Sequence, residues 1–349
     1  MSTKVLSPAD FPERFDSAEE LEDFMTTPAQ ALIDDMRRLD GDILILGVGG
    51  KMGPTLARLA KRAAPDKRLV GVARFSEPGL RDKLEASGVE TIACDLLERS
   101  AVADLPRLAN VVFMAGRKFG TQGGEDLTWA MNTYLPALVA EAFRESRIVA
   151  FSTGCVYPFV PVLGQGAREE TPPNPPPGEY ANSCLGRERI FQYFSRVHGT
   201  PGRIIRLNYA IDMRYGVIHD VARKVLDGTL IDLSMGHANV IWQGDANAQV
   251  LRALNHCTAP PGPLNVSGPE TISIRALAKS LGQYLGREPR FTGSEAPTAW
   301  LVNTGRAADL FGYPLVPLSR MVRWVADWVG RGGASLGRDT HFDVRDGTF

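Results

Sequence analysis

The chain has 349 residues, 44% hydrophobic and 23% charged, with a formal net charge of −1 at pH 7. This suits a globular protein with one large α/β domain and a second lobe, and it supplies no field for a nucleic-acid partner. No apolar stretch reaches the ~18 residues of a membrane span, residues 1–14 lack the apolar core of a secretory signal, and the four cysteines and five histidines show no metal-ligand spacing. Reduced thiols and a cytoplasmic setting are expected, with no metal and no membrane partner.

Residues 1–40 precede the first strand. Ser17 before Ala18-Glu19-Glu20 is an N-cap with an acidic first turn, so a helix runs to Met25. Residues 29–39 read as a second helix. Both are expected on the outside of the domain or against a partner subunit. Then apolar runs at 42–48, 68–73, 89–94, 110–115, 147–152 and 203–207 alternate with amphipathic helices at 54–64, 80–87, 125–145 and 180–198. Near-continuous apolar strands between helices predict a doubly wound parallel sheet, a Rossmann fold, with ligands at the carboxyl ends of the strands. The expected plan is a helical extension (1–40) and a dinucleotide-binding domain (41–205 with about 236–267). A substrate lobe (206–235 with 268–330) and a tail (331–349) complete it. The polar, glycine-rich tail is expected to reach a neighbouring subunit or to stay loose.

The first strand turns into its helix through Gly47-Val48-Gly49-Gly50-Lys51-Met52-Gly53. Glycines let the backbone approach a pyrophosphate, and the helix N-terminus offers free N–H groups to it. An ordinary strand-to-helix turn can carry the same spacing. The second strand ends in Ala73-Arg74, where a carboxylate would hold an NAD ribose. Arginine suits a 2′-phosphate, with Lys51 as a second nearby cation, so NADP is favoured over NAD. A solvated arginine at a strand end is the plainer account. Asp95, after the third strand, either accepts from an adenine amino group or caps a helix. Ala115-Gly116 would let a cofactor pass close to the backbone. The loop 117–124 is glycine-rich and basic, and should lie over the cleft.

These residues in order are Gly47, Gly50 and Gly53, Asp95-Leu96, Ala115-Gly116, Asn132, Ser152-Thr153 before Val156-Tyr157, Thr171-Pro172-Pro173, and Tyr180-Ala181-Asn182-Ser183. Over about residues 41–330 they resemble the extended short-chain dehydrogenase/reductase superfamily, in its NAD-dependent epimerase/dehydratase branch. The resemblance implies that Tyr180 is the catalytic acid/base, that Thr153 bonds the same substrate oxygen, and that a nicotinamide exchanges hydride. Besides Gly47, Gly50, Lys51, Gly53, Arg74 and Asp95, it implies cofactor contacts at Met52, Leu96, Ala115, Gly116, Arg117 and Asn132. Ser152, Tyr180, Cys184 and Asn208 complete that set, and Asn208 would also touch substrate. It further implies a homodimer formed by the helices 125–145 and 180–198. Their apolar Trp129, Leu135, Leu138, Phe191 and Phe194 allow this, although core burial explains them more simply.

Cys184 stands where the resemblance implies a lysine. A free phenol is only roughly 0.1% ionised at neutral pH, and a neutral thiol does little to change that. Arg187 follows Cys184 on the same helix face and Lys118 lies in the loop over the cleft; either could supply the missing charge. Arg187 could equally be a surface helix arginine. Cys184 reads better as a small buried thiol than as a nucleophile. In nucleotide-sugar enzymes an arginine clamps the diphosphate at the position of Ala238. Its absence favours a smaller substrate: a sugar, sugar acid, lactone or hydroxy-ketone. Arg214 remains as an anion site or a structural ion pair. The expected activity is that of an NAD(P)-dependent oxidoreductase or epimerase on such a small molecule, with Thr153, Tyr180, Arg187 and Lys118 as its chemical groups. The alternatives are a nucleotide-sugar epimerase or dehydratase, and a redox-inactive cofactor-binding protein.

Overall fold

The computed structural model describes residues 4–118, 120 and 123–347. Seven strands, β1 (Ile43–Leu46), β2 (Leu69–Ala73), β3 (Glu90–Ala93), β4 (Asn110–Phe113), β5 (Arg147–Thr153), β6 (Gly202–Leu207) and β7 (Gly262–Val266), form one sheet. Its order is β7-β6-β5-β4-β1-β2-β3, and every neighbouring pair is parallel. The chain order reverses between β1 and β4, which opens a crevice at the carboxyl ends of those strands. The expected Rossmann fold is present.

Side chains of successive strand residues point to opposite faces. Ile43 and Ile45 therefore enter one core, and Leu44 and Leu46 the other. The first core is covered by α2 (Gln30–Arg38) and α3 (Gly53–Ala63), with α10 (Gln243–Arg252) and α12 (Gly305–Phe311). The second is covered by α5 (Arg99–Ala103), α7 (Leu135–Ala142) and α8 (Glu179–His198). A third core belongs to the second lobe. There α1 (Ala18–Met25) meets α9 (Val217–Asp227), α11 (Ile274–Leu285) and α13 (Leu318–Gly330). The remaining helices, α4 (Leu80–Ala86) and α6 (Glu125–Trp129), follow β2 and the basic loop.

Four expectations need correction. Residues 1–40 do not lie outside: Phe24 and Met25 enter the second lobe's core, while Leu32 and Met36 enter the sheet's. The helix expected at 125–145 is broken by one π-helical turn at Ala130–Tyr134. Helices α9 and α10 fall where no helix was expected. The tail is tied to its own chain: Phe342 is buried in the second lobe's core, and Lys224 pairs with Asp343 at 2.8 Å. No helix among the described residues is long and apolar enough to cross a membrane.

Candidate functional site

Two of the turn glycines are required by their surroundings. Gly47 has φ +89°, and a Cβ there would lie 2.6 Å from the Ala115 nitrogen. A Cβ on Gly53 would lie 2.2 Å from the Val48 carbonyl oxygen. The turn thus brings β1, β4 and the start of α3 into backbone contact, and leaves Gly49 and Gly50 exposed above them. Three cavities border it: one of about 510 Å³ reaches Gly49, Gly50 and Lys51 from the side of Arg58 and Arg214, and two others share Gly47, Gly50 and Met114. The first of these two, of about 240 Å³, is lined by Arg74, Phe75, Asp95, Leu96, Ala115 and Gly116. The other, of about 250 Å³, is lined by Lys51, Met52, Lys118, Ser152, Thr153, Tyr180, Asn208, Tyr209, Tyr215 and Thr340.

The first cavity is lined by the strand-end residues expected to meet a cofactor. Arg74 is exposed at its edge. Asp95 lines the cavity, and its Oδ1 accepts from the Leu97 N–H at 3.0 Å in the turn before α5, so it does not cap that helix. Lys51 does not join Arg74. Its ammonium donates to the Ala210 carbonyl at 3.0 Å and sits 4.1 Å from the Tyr215 ring centroid, in the other cavity. Burial drives its pKa down to about 8.

The second cavity gathers the chemical groups. β5 ends at Thr153, whose hydroxyl accepts from the Cys155 N–H at 3.2 Å. Tyr180 enters from the first turn of α8, and Lys118 from the loop after β4. Burial pushes the Tyr180 hydroxyl well above the ordinary phenol range, helped by Cys184 and Cys155. The Arg187 charge and a hydrogen bond with Thr153 pull it down, less strongly. These influences favour the neutral phenol at Tyr180 in the free protein. Burial lowers the Lys118 pKa. Beneath them, Ser152 donates to Glu188 at 2.5 Å, and Glu188 pairs with Arg206 at 2.7 Å, all buried.

Several expected site residues do other work. Arg187 is buried and does not line the cavity: it donates to the Phe151 carbonyl at 2.8 Å and to Asn132 Oδ1 at 2.5 Å. Asn132, held by the π-helical turn, also accepts from the Arg117 N–H at 2.8 Å and donates to Ser183 at 2.9 Å. It ties the basic loop to α8 rather than facing a ligand. The Arg117 guanidinium folds back onto the Gly120 carbonyl. Cys184 is fully buried and its thiol is pushed up to about 11 by burial, so it is no nucleophile. Arg214 pairs with Asp212 at 3.0 Å and Glu22 at 2.8 Å, the structural alternative. Ala238 is buried in a short strand opposite Ile272. Phe119, Thr121 and Gln122 of the basic loop lie outside the described residues.

The sequence reading missed Tyr209, Tyr215 and Thr340. Tyr209 directly follows Asn208, so carrying the strand-end rule one residue further would have found it. It has φ +46°, a strained value for a tyrosine, and its buried hydroxyl finds no hydrogen-bond partner among the described residues. Such strain persists where the surroundings over-determine it, and it clusters at ligand sites. Thr340 carries no local signal.

A doubly wound sheet, a glycine turn at its reversal point, and a serine/threonine–tyrosine pair beyond it define an extended short-chain dehydrogenase/reductase. The model of the NAD dependent epimerase/dehydratase family matches residues 43–252, and the chain belongs to that family. No curated protein matches the chain. Among solved structures it is similar to UDP-glucuronic acid 4-epimerase from Bacillus cereus, in complex with UDP-glucuronic acid and NAD (18% identity, TM-score 0.68, 83% of this chain and 99% of that one). It is also similar to dTDP-glucose 4,6-dehydratase from Streptomyces venezuelae with NAD bound (18%, 0.69, 83% and 97%). UDP-glucose 4-epimerase from Thermus thermophilus, in complex with NAD, is a third (21%, 0.67, 83% and 99%). These neighbours share its fold.

Proposed function

We propose that the protein is an NAD(P)-dependent oxidoreductase or epimerase acting on a small polyhydroxylated or carbonyl compound, with NADP favoured over NAD. The observation that carries this reading is the single cavity in which Thr153, Tyr180, Lys118 and Asn208 converge beside the glycine turn. The cradle fits a dinucleotide: the Cβ clashes at Gly47 and Gly53 fix a turn with open backbone above it, and Arg74 and Asp95 line the adjoining cavity. Gly47, Gly50, Arg74, Asp95, Ala115 and Gly116 would hold the cofactor. Bound there, a nicotinamide supplies or takes up hydride.

The protein's own part is proton handling and orientation. Tyr180, as the neutral phenol, gives its proton to the substrate oxygen, and Thr153 fixes that oxygen by a second hydrogen bond. Lys118 supplies the positive charge that the resemblance places at position 184. It faces the cavity, while the charge that pulls the Tyr180 pKa down in the free protein is that of buried Arg187. The small-substrate reading is supported by Ala238, which stands where nucleotide-sugar enzymes carry a diphosphate-binding arginine. The nucleotide-sugar reading draws support from the titles of the structural neighbours, and tight binding of a uridine- or thymidine-diphosphate sugar would establish it. A homodimer is inferred from the exposed Trp129 (40%) and Tyr134 (47%) beside Tyr193 (58%) and Val197 (56%) of α8. Sedimentation velocity tests it.

Replacing Tyr180 by Phe tests the chemistry. With a carbonyl substrate found by screening with NADPH, turnover should fall by roughly 10²–10⁴ while cofactor affinity holds. Full activity in Tyr180→Phe would remove Tyr180 from the mechanism.

A further inference from the structure

Beyond α13 the chain returns to the cavity wall. Thr340 is buried at 1% exposure and lines that cavity together with Thr153, Tyr180 and Lys118. Its carbonyl accepts from the Lys118 ammonium at 3.3 Å. Its own N–H and hydroxyl both donate to Asp220 Oδ2, at 2.9 and 2.5 Å. Asp220 is itself buried, in the first turn of α9.

The flanking residues are fastened as well. The Phe342 N–H donates to the Thr340 hydroxyl at 3.3 Å, and the Phe342 ring is buried in the second lobe. Arg345 donates to the Thr298 carbonyl at 2.7 Å and to its hydroxyl at 2.8 Å, with its guanidinium 4.1 Å from the Phe159 ring centroid. Gly347 packs on Pro177 and Gly178, just before α8. Between these anchors His341 holds φ +56°. A left-handed non-glycine residue is retained only where its neighbours enforce it. A segment tied down for packing alone has no need to offer a carbonyl to a cavity lysine.

We propose that residues 338–347 form a strap that is part of the active site, in which Thr340, clamped by Asp220, positions the Lys118 ammonium over the cavity. Asp220 and Thr340 are positioning residues. They act through Lys118, so the proposal rests on the role given to Lys118 above. The lysine stem is long and flexible, and Lys118 precedes a glycine-rich loop. A fixed acceptor restricts where the ammonium can lie.

The test needs no turnover. The native full-length protein, Asp220→Ala, Asp220→Asn and Thr340→Val are acylated briefly with acetic anhydride, and Lys118 labelling is read by peptide mass spectrometry. Hydrogen exchange of residues 338–347 runs in parallel. In Asp220→Ala the strap should exchange faster and Lys118 should label roughly tenfold faster, about the loss of one charge-assisted hydrogen bond. Exposed Lys279 serves as the internal standard and should not change. Asp220→Asn keeps an acceptor oxygen and should stay within roughly twofold of native. Where Asp220→Ala fails to fold, Thr340→Val answers alone, because it removes only the hydroxyl's bonds with Asp220 and the Phe342 N–H and keeps the side-chain volume. Released strap exchange with unchanged Lys118 labelling overturns the proposal, as does a strap that stays protected in Asp220→Ala and Thr340→Val. Activity surviving in Tyr180→Phe would refute the chemistry above and leave this result intact.

Discussion

Lys51 offers the sharpest thermodynamic test. Its ammonium sits in the cavity against the Ala210 carbonyl and the Tyr215 ring. Desolvation lowers its pKa from 10.5 to about 8. That difference corresponds to about 3 kcal/mol of destabilisation while the charge is present. The sign follows from proton counting. Below pH 8 both folded and unfolded chains carry the proton, and the whole cost applies. Between pH 8 and 10.5 the unfolded chain still holds a proton that the folded one has lost, so stability rises with pH. Lys51→Met removes the charge and keeps most of the volume. It also leaves the Ala210 carbonyl without its donor, at about 1 kcal/mol, and water in the cavity reduces the original cost. The variant should therefore be about 1–2 kcal/mol more stable than the native protein at pH 7, with the advantage gone by pH 10.5. Unfolding midpoints of both proteins across pH 7–10.5 measure this. Parallel curves, or a variant less stable at pH 7, would show that the ammonium is not desolvated and refute the reasoning.

Arg74→Ala should weaken NADPH about tenfold by calorimetry and leave NADH within about twofold, since only the 2′-phosphate is lost; equal losses would remove the NADP preference. Lys51→Met should weaken both nucleotides alike, because its ammonium lies away from the cavity that Arg74 lines. Gly53→Ala forces a Cβ to within 2.2 Å of the Val48 oxygen and should destabilise the apoprotein by about 2 kcal/mol or more in urea unfolding. Burial raises the pKa of Asp245 from 3.8 to about 6, against hydrogen bonds from the Val316 and Leu315 N–H groups. The folded chain therefore binds the extra proton between those values, and stability falls as pH rises through them. Relative to Asp245→Asn, the native protein should lose up to about 3 kcal/mol between pH 4 and 6; a constant difference would contradict this.

The sheet was legible because each strand is buried on both faces and reads as an unbroken apolar run. The order of the site was legible because the sheet fixes which strand ends meet. Helix α9 was legible too, through Val217, Ile218, Val221 and Val225 at helical spacing, and went unread. Helix α10 was harder: its buried face includes Gln243 and Asn247, which donate to Thr55 and look solvent-facing in sequence. The direction of a long side chain was least legible. Arg187 follows Tyr180 by two turns of the same helix and Lys118 lies in a distant loop, yet the nearer one turns under Gly116 and the farther one into the cavity. The strap left no signature at all. Its bonds to Asp220 and Thr298 join residues 120 and 47 apart in the chain, and such bonds impose no periodicity.

Glu22 of α1 reaches two parts of the molecule at once. It pairs with Arg58 on α3, behind the glycine turn, and with Arg214 in the second lobe. Beside it, Phe24 packs edge-on against Trp324 of α13 at 5.4 Å, and Arg62 of α3 donates to the Asp23 carbonyl and the Thr26 hydroxyl. A hinge opening between the lobes would have to break these pairs and strip Phe24 from its aromatic neighbours. The first forty residues therefore tie α3 of the sheet domain to the second lobe through one carboxylate and one aromatic cluster.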